Sequence, residues 1–89
     1  MALKIKPADG QSFKSFEIEI KEFDWKSRCD INNRYLECQG NVPSFEFWGN
    51  IILDFTTIKE KELNNYSNDE IMAICTKIYE YANSKKKNR

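Results

Sequence analysis

Few side chains in this sequence offer the chemistry that catalysis needs, because its 89 residues include no histidine. That absence removes the commonest general base, the histidine-dependent serine and cysteine nucleophiles, and most zinc chemistry. Cys29 follows Arg28, whose positive charge favours a reactive thiolate. No side chain that could act as a general base accompanies the thiol, so we interpret Cys29 as an ordinary surface cysteine.

Three glutamates are the second candidate for chemistry, since Glu17, Glu19 and Glu37 fall on the same predicted face of a sheet. Carboxylates grouped in this way can bind a divalent cation. Acidic residues on one side of a sheet are, however, more often a solvated surface. The three glycines are scattered and form no phosphate-binding loop. We therefore expect a non-enzymatic protein that holds no metal and no cofactor.

The N-terminal part of the chain predicts a β-hairpin. Apolar residues alternate with lysines around positions 3–5, and the turn sequence PADG follows at 7–10. Gly10 can take the positive φ that such a turn uses. The chain returns from Phe13 as a strand with one apolar face, formed by Phe16, Ile18 and Ile20.

Beyond this strand the alternation changes phase, because the next aromatic residues, Phe23 and Trp25, have odd numbers. One extra residue near Lys21 would form a β-bulge and return both rings to the core. Without a bulge both rings face outward, and the two alternatives stay open. Residues 26–33 are polar and rich in Asp and Asn, which predicts a loop.

Two further strands are predicted over 34–42 and 45–55. The first has an inward face formed by Leu36, Cys38 and Val42. The second, FEFWGNIILDF, has an inward stripe formed by Phe45, Phe47, Ile51, Leu53 and Phe55. Tyr35, Trp48 and Ile52 then fall on the opposite face of the sheet.

A C-terminal helix is the clearest element, because Ser67 and Glu70 form a capping box. Helical spacing follows in the apolar residues Ile71, Ile74, Cys75, Ile78 and Ala82. Residues 56–66 are ambiguous, and a short helical turn with Ile58 and Leu63 inward is one interpretation. We expect a single α+β domain over 1–84, with a four-stranded antiparallel meander sheet and one C-terminal helix packed on one face. Residues 85–89, KKKNR, predict a disordered basic tail.

The charges are unevenly distributed along the chain. The formal net charge is zero, but residues 1–84 contain 10 basic and 14 acidic side chains, a net charge of −4. A domain of that sign repels nucleic acid and attracts basic surfaces. No apolar run is long enough to cross a bilayer, and the three cysteines are a poor disulfide framework. A cytoplasmic location without a membrane partner is expected.

The face of the sheet that the helix leaves open is the candidate binding site. An aromatic side chain at the centre of a patch with charges at its rim is typical of protein-binding surfaces. The alternative is that residues 26–33 or 56–66 fold over this face and make its apolar residues a second core. The candidate partner-binding residues are Glu17, Glu19, Tyr35, Glu37, Glu46, Trp48 and Ile52.

The segments NRYLECQGNV and FEFWGNIILDFTTI resemble small immunity proteins of bacterial polymorphic-toxin and contact-dependent inhibition systems. The similarity covers residues 33–66. It implies a protein that binds and inhibits a cognate secreted toxin, often a basic nuclease domain. One alternative is a phage-encoded, anti-CRISPR-like antagonist of a bacterial defence nuclease. Another is a nucleic-acid-binding accessory protein that uses the basic tail, although the acidic sheet face opposes it.

Overall fold

The computed structural model describes residues 2–38 and 44–84, of which about 59% are helical. The elements, in chain order, are β1 (Ala2–Ile5), β2 (Phe16–Glu19), α1 (Trp25–Glu37), α2 (Phe45–Phe55), a 3₁₀ helix (Glu60–Asn65) and α3 (Asn68–Asn83). The hairpin of β1 and β2 and the helices α2 and α3 enclose one core.

The predicted hairpin is confirmed. β1 and β2 pair antiparallel, with Leu3 opposite Ile18 and Ile5 opposite Phe16. Gly10 lies in the connection with a φ of +87°. Leu3, Ile5 and Ile18 are buried, as is Ile20 just after β2, so the alternation in the sequence places one face of the hairpin on the core.

The prediction of a four-stranded meander sheet is wrong, because the sheet of the described residues has only two strands. Residues 26–33, expected as a loop, lie within α1. This helix begins after Asp24, whose carboxylate accepts a hydrogen bond from the Ser27 N–H at 2.9 Å. Only Ile31 of this helix is fully buried, which is consistent with its polar sequence. The expected inward position of Leu36 is wrong, because Leu36 is 72% exposed.

The stretch 45–55 is the helix α2 rather than a strand. The Ser44 hydroxyl accepts a hydrogen bond from the Phe47 N–H at 3.1 Å and caps the helix. Trp48, Ile51, Ile52 and Phe55 follow at helical spacing. Ile51 and Ile52 both have 0% exposure. A strand would direct these two neighbours to opposite faces, and the expected open position of Ile52 is therefore wrong.

Phe23 and Trp25, which the sequence places either both inside or both outside, have different environments. The chain leaves the sheet after Ile20, so no bulge forms. The Phe23 ring packs against Phe55 and Tyr81, each at 5.4 Å between ring centroids. Trp25 is 67% exposed at the first position of α1. One ring is thus part of the core and the other lies on the surface.

After α2 the chain returns to the hairpin. Thr56 is buried; its hydroxyl donates to the Ile52 carbonyl at 2.7 Å and accepts from the Ile58 N–H at 3.1 Å. Thr56 forms an antiparallel bridge with Ile20, which places residues 55–57 along the outer edge of β2. Ile58 and Leu63 pack partly buried against the core, so the expected short helical turn is the 3₁₀ helix.

The C-terminal helix is confirmed as α3. The Glu70 N–H donates to the Ser67 hydroxyl at 3.2 Å, and the Ser67 N–H donates to the Glu70 carboxylate at 2.7 Å. The buried face consists of Ile74, Cys75, Ile78 and Ala82. Positions 39–43 of the predicted third strand and the predicted tail at 85–89 lie outside the described residues.

We expect Ile52→Ala to lower the free energy of unfolding by about 2–5 kcal/mol, because it leaves a cavity between packed helices. Leu36→Ala is the matched control, and at an exposed position it should change stability by no more than about 0.5 kcal/mol. Urea denaturation followed by circular dichroism measures both. Equal effects of the two substitutions would contradict the helical assignment of residues 45–55.

Candidate protein-binding surface

The first turn of α2 carries three aromatic side chains. The Phe45 and Trp48 rings contact each other edge to face, with centroids 4.9 Å apart. The Phe47 ring packs in the same manner on Tyr35 of α1, at 5.2 Å. Tyr35 in turn lies 4.5 Å from the Tyr79 ring of α3. The rings thus form two contact groups, the pair Phe45–Trp48 and the trio Tyr35, Phe47 and Tyr79, both of which include residues of the first turn of α2. We call these five residues the aromatic surface.

Part of the aromatic surface is accessible to solvent. Phe45 is 46% exposed and Tyr79 is 37% exposed, whereas the Phe47 and Trp48 side chains are partly buried. Leu36, which follows Tyr35 in the sequence of α1, is 72% exposed. Large apolar side chains that remain exposed together mark a binding region more often than scattered ones do.

Two acidic residues flank the aromatic surface in the sequence. Glu46 is exposed in the first turn of α2, where a negative charge also interacts favourably with the helix dipole. Glu37 is exposed at the last position of α1. These exposed carboxylates are next to the aromatic residues in the sequence, and a partly basic partner surface would match their charge.

Polar contacts also link the three helices to one another. The Cys75 thiol of α3 donates to the Trp48 carbonyl at 3.2 Å. The Arg34 guanidinium of α1 donates to Asp30 at 2.9 Å and to Asp54 of α2 at 2.6 Å. Although burial alone lowers the pKa of Arg34, these hydrogen bonds raise it above its ordinary value. The positions of the rings are thus fixed by the packing of all three helices.

Two groups, the hydroxyl of Tyr35 in the aromatic surface and the thiol of Cys75 in the core, are protected from ionisation. Burial raises the pKa of the Tyr35 hydroxyl from 10.0 to about 12, and it raises the pKa of the Cys75 thiol from 9.0 to about 12. A buried thiol that resists deprotonation is a poor nucleophile. Cys75 therefore acts as a small core residue.

The structure places two of the seven candidate binding residues in the aromatic surface. Tyr35 and Trp48 belong to the aromatic surface, and Glu37 and Glu46 adjoin them in the sequence. Ile52 is buried in the core and cannot contact a partner.

Glu17 and Glu19 lie on the hairpin, where they line a groove of about 320 Å³ with Lys59, Glu62 and Tyr66. The predicted grouping of Glu17, Glu19 and Glu37 does not occur. Within residues 2–38 and 44–84, no three acidic or cysteine side chains are placed to hold a metal ion.

Sequence reasoning missed the contribution of Phe45, Phe47 and Tyr79 to the binding region. The alternating pattern places Phe45 and Phe47 on the inner stripe of a strand, and that prediction is wrong because residues 45–55 are helical. The signal that identifies them is the cap at Ser44 together with the helical spacing from Trp48 onward. The signal for Tyr79 is its position next to Ile78, at the border of the predicted apolar face of α3.

The chain was compared with known protein families, curated proteins and solved structures. No family model, no curated protein and no solved structure matches the chain. Among the residues that the structure describes, no helix combines the length and the apolar composition that crossing a lipid bilayer requires. The described residues form a mainly helical domain with an antiparallel hairpin, and aromatic side chains of α2 and α3 are accessible on it.

Raising the pH should destabilise the fold through Tyr35 and Cys75. Since the folded protein resists ionisation of both groups, their contribution to stability is complete below about pH 9 and is lost as the pH rises toward 12. Urea denaturation at several pH values above 8 measures the slope. The variant Tyr35→Phe/Cys75→Ala should show a shallower slope, and a slope as steep as that of the wild type would contradict the burial of these groups.

Proposed function

We propose that this chain is a non-enzymatic protein-binding domain and that the aromatic surface is its contact region. The observation that supports the proposal most directly is the pair formed by Phe45 and Trp48. Phe45 is 46% exposed, yet its ring is held by the Trp48 ring at 4.9 Å. A side chain that is ordered before binding loses little conformational entropy when a partner buries it, so more of the burial contributes to affinity.

The composition of the surface is that of an interface centre. Aromatic residues, Tyr and Trp above all, dominate the binding energy of protein interfaces, and charged residues are concentrated at the rim. Glu37 and Glu46 supply the charge here, and residues 1–84 carry a net charge of −4. Complementary charge speeds association and selects among partners. A partner with a basic surface follows from this distribution.

In its most specific form, the proposal is an immunity protein that acts in the cytoplasm. It would bind a bacterial toxin domain, such as a basic nuclease, and cover its active site. This form derives from the resemblance of residues 33–66 to small immunity proteins. Within the two strands expected there, residues 34–37 belong to α1 and residues 45–55 form α2, so the resemblance depends on residue types alone. An antagonist of a bacterial defence nuclease would use the same surface, and the identity of the partner distinguishes the two.

Affinity capture from the native host, followed by mass spectrometry and measurement of Kd for the recovered protein, tests the proposal. We expect Phe45→Ala to weaken the complex by about 2 kcal/mol, roughly 30-fold in Kd, if this ring is an anchor of the interface. Glu46→Lys should weaken it chiefly through slower association, and the loss should diminish at high salt.

Trp25→Ala is the matched control, because Trp25 is also exposed but lies at the opposite end of α1 from Tyr35. It should leave Kd unchanged, and circular dichroism should show that all three variants remain folded. Equal weakening by Trp25→Ala and Phe45→Ala would refute the assignment of the surface. Retention of the wild type on DNA or RNA at physiological salt would favour the nucleic-acid-binding alternative instead.

A further inference from the structure

The groove between β1 and α3 contains cationic side chains that the proposed function does not use. Its volume is about 190 Å³. The polar residues that line it are Lys4, Lys6, Gln11, Thr76, Lys77 and Glu80. Three of these side chains are cations and one is an anion. The groove is thus locally positive on a domain whose residues 1–84 have a net charge of −4.

The lysines of the groove are largely free to bind a ligand. Within residues 2–38 and 44–84, no side chain forms an ion pair with Lys4 or Lys6. Lys4 lies opposite Glu17 in the hairpin register without such a pair. Lys77 lies 4.0 Å from Glu80, both are exposed, and an exposed pair of this kind contributes little to stability. A competing anion can therefore displace Glu80 at small cost.

Uncharged donors complete the lining. The Gln11 Oε1 atom accepts a hydrogen bond from the Ala8 N–H at 2.9 Å, and the Gln11 N–H donates to the Ala8 carbonyl at 2.9 Å. The first bond holds the Gln11 side chain on the turn and leaves its amide NH₂ group to donate. Thr76 adds a hydroxyl from α3. Apart from Glu80, the side chains of the groove thus favour a ligand that accepts hydrogen bonds.

We propose that this groove binds a small phosphorylated ligand through Lys4, Lys6 and Lys77. Phosphate oxygens accept several hydrogen bonds at once, and lysine ammonium groups bind them as point charges. The groove, of about 190 Å³, has room for one or two phosphate groups. None of these residues belongs to the aromatic surface, so the two proposals can fail separately.

Titration of the full-length chain with pyrophosphate, followed by amide NMR, tests the proposal. Saturable amide chemical-shift changes are expected at residues 4–11 and 73–80. They should persist when potassium chloride is used to keep the ionic strength constant during the titration. The variant Lys6→Gln/Lys77→Gln should weaken binding by about tenfold or more, because two nearby charges are removed. Lys21→Gln/Lys26→Gln, which removes two exposed lysines outside the groove, is the matched control and should bind as the wild type does.

The substitution Glu80→Gln should change the affinity for pyrophosphate in the opposite direction. Removing the one carboxylate of the groove frees Lys77 and should tighten pyrophosphate binding by about threefold to tenfold. Equal losses in the groove variant and the control variant would overturn the proposal, as would shifts spread over all lysines.

A single-stranded oligonucleotide of about 12 nucleotides distinguishes a polymer from a small ligand. Weaker binding of the oligonucleotide than of pyrophosphate supports the proposal. Tighter binding of the oligonucleotide would overturn it in favour of a nucleic-acid backbone as the ligand.

Discussion

The packing of α2 against α3 holds the rest of the domain in place. Ile51 and Ile52 of α2 and Ile74 and Ile78 of α3 all have 0% exposure. Full burial of one such side chain contributes about 1.5–3 kcal/mol relative to leaving it exposed, so these four residues supply a large part of the apolar stabilisation. The hairpin covers the same core with its inward face, and Thr56 at the end of α2 joins the helix to the edge of β2.

The position of α1, and with it the aromatic surface, depends on that packing. α1 buries only Ile31 completely, so it has few apolar contacts of its own. It is fixed through Arg34, which binds Asp54 of α2, and through Tyr35, which lies between rings of α2 and α3. A surface assembled from three helices in this way is present only in the folded domain. The groove between β1 and α3 is separate, and its positive charge suits a different kind of ligand.

The candidate site could be predicted from the sequence only in part. The sequence and the structure share the candidates Tyr35, Glu37, Glu46 and Trp48. Aromatic residues close to charged ones are typical of binding surfaces whether they lie on a strand or on a helix. Their geometry could not be predicted, since a strand places alternate residues on one face whereas a helix groups every third and fourth residue. Because residues 45–55 are helical, Ile52 is buried, and the Phe45 ring, which the strand pattern places in the core, is exposed.

The sequence by itself determined the elements whose signals are local. The turn at 7–10 and the alternation on both sides of it specify the hairpin, and the capping box at Ser67 with helical spacing after it specifies α3. Residues 45–55 have apolar side chains at both two-residue and helical spacing, so their local pattern permits a strand or a helix. Only the tertiary structure decided between them, because a helix can bury Ile51 and Ile52 together beside α3, whereas a strand on a one-sided sheet would leave one of them in water.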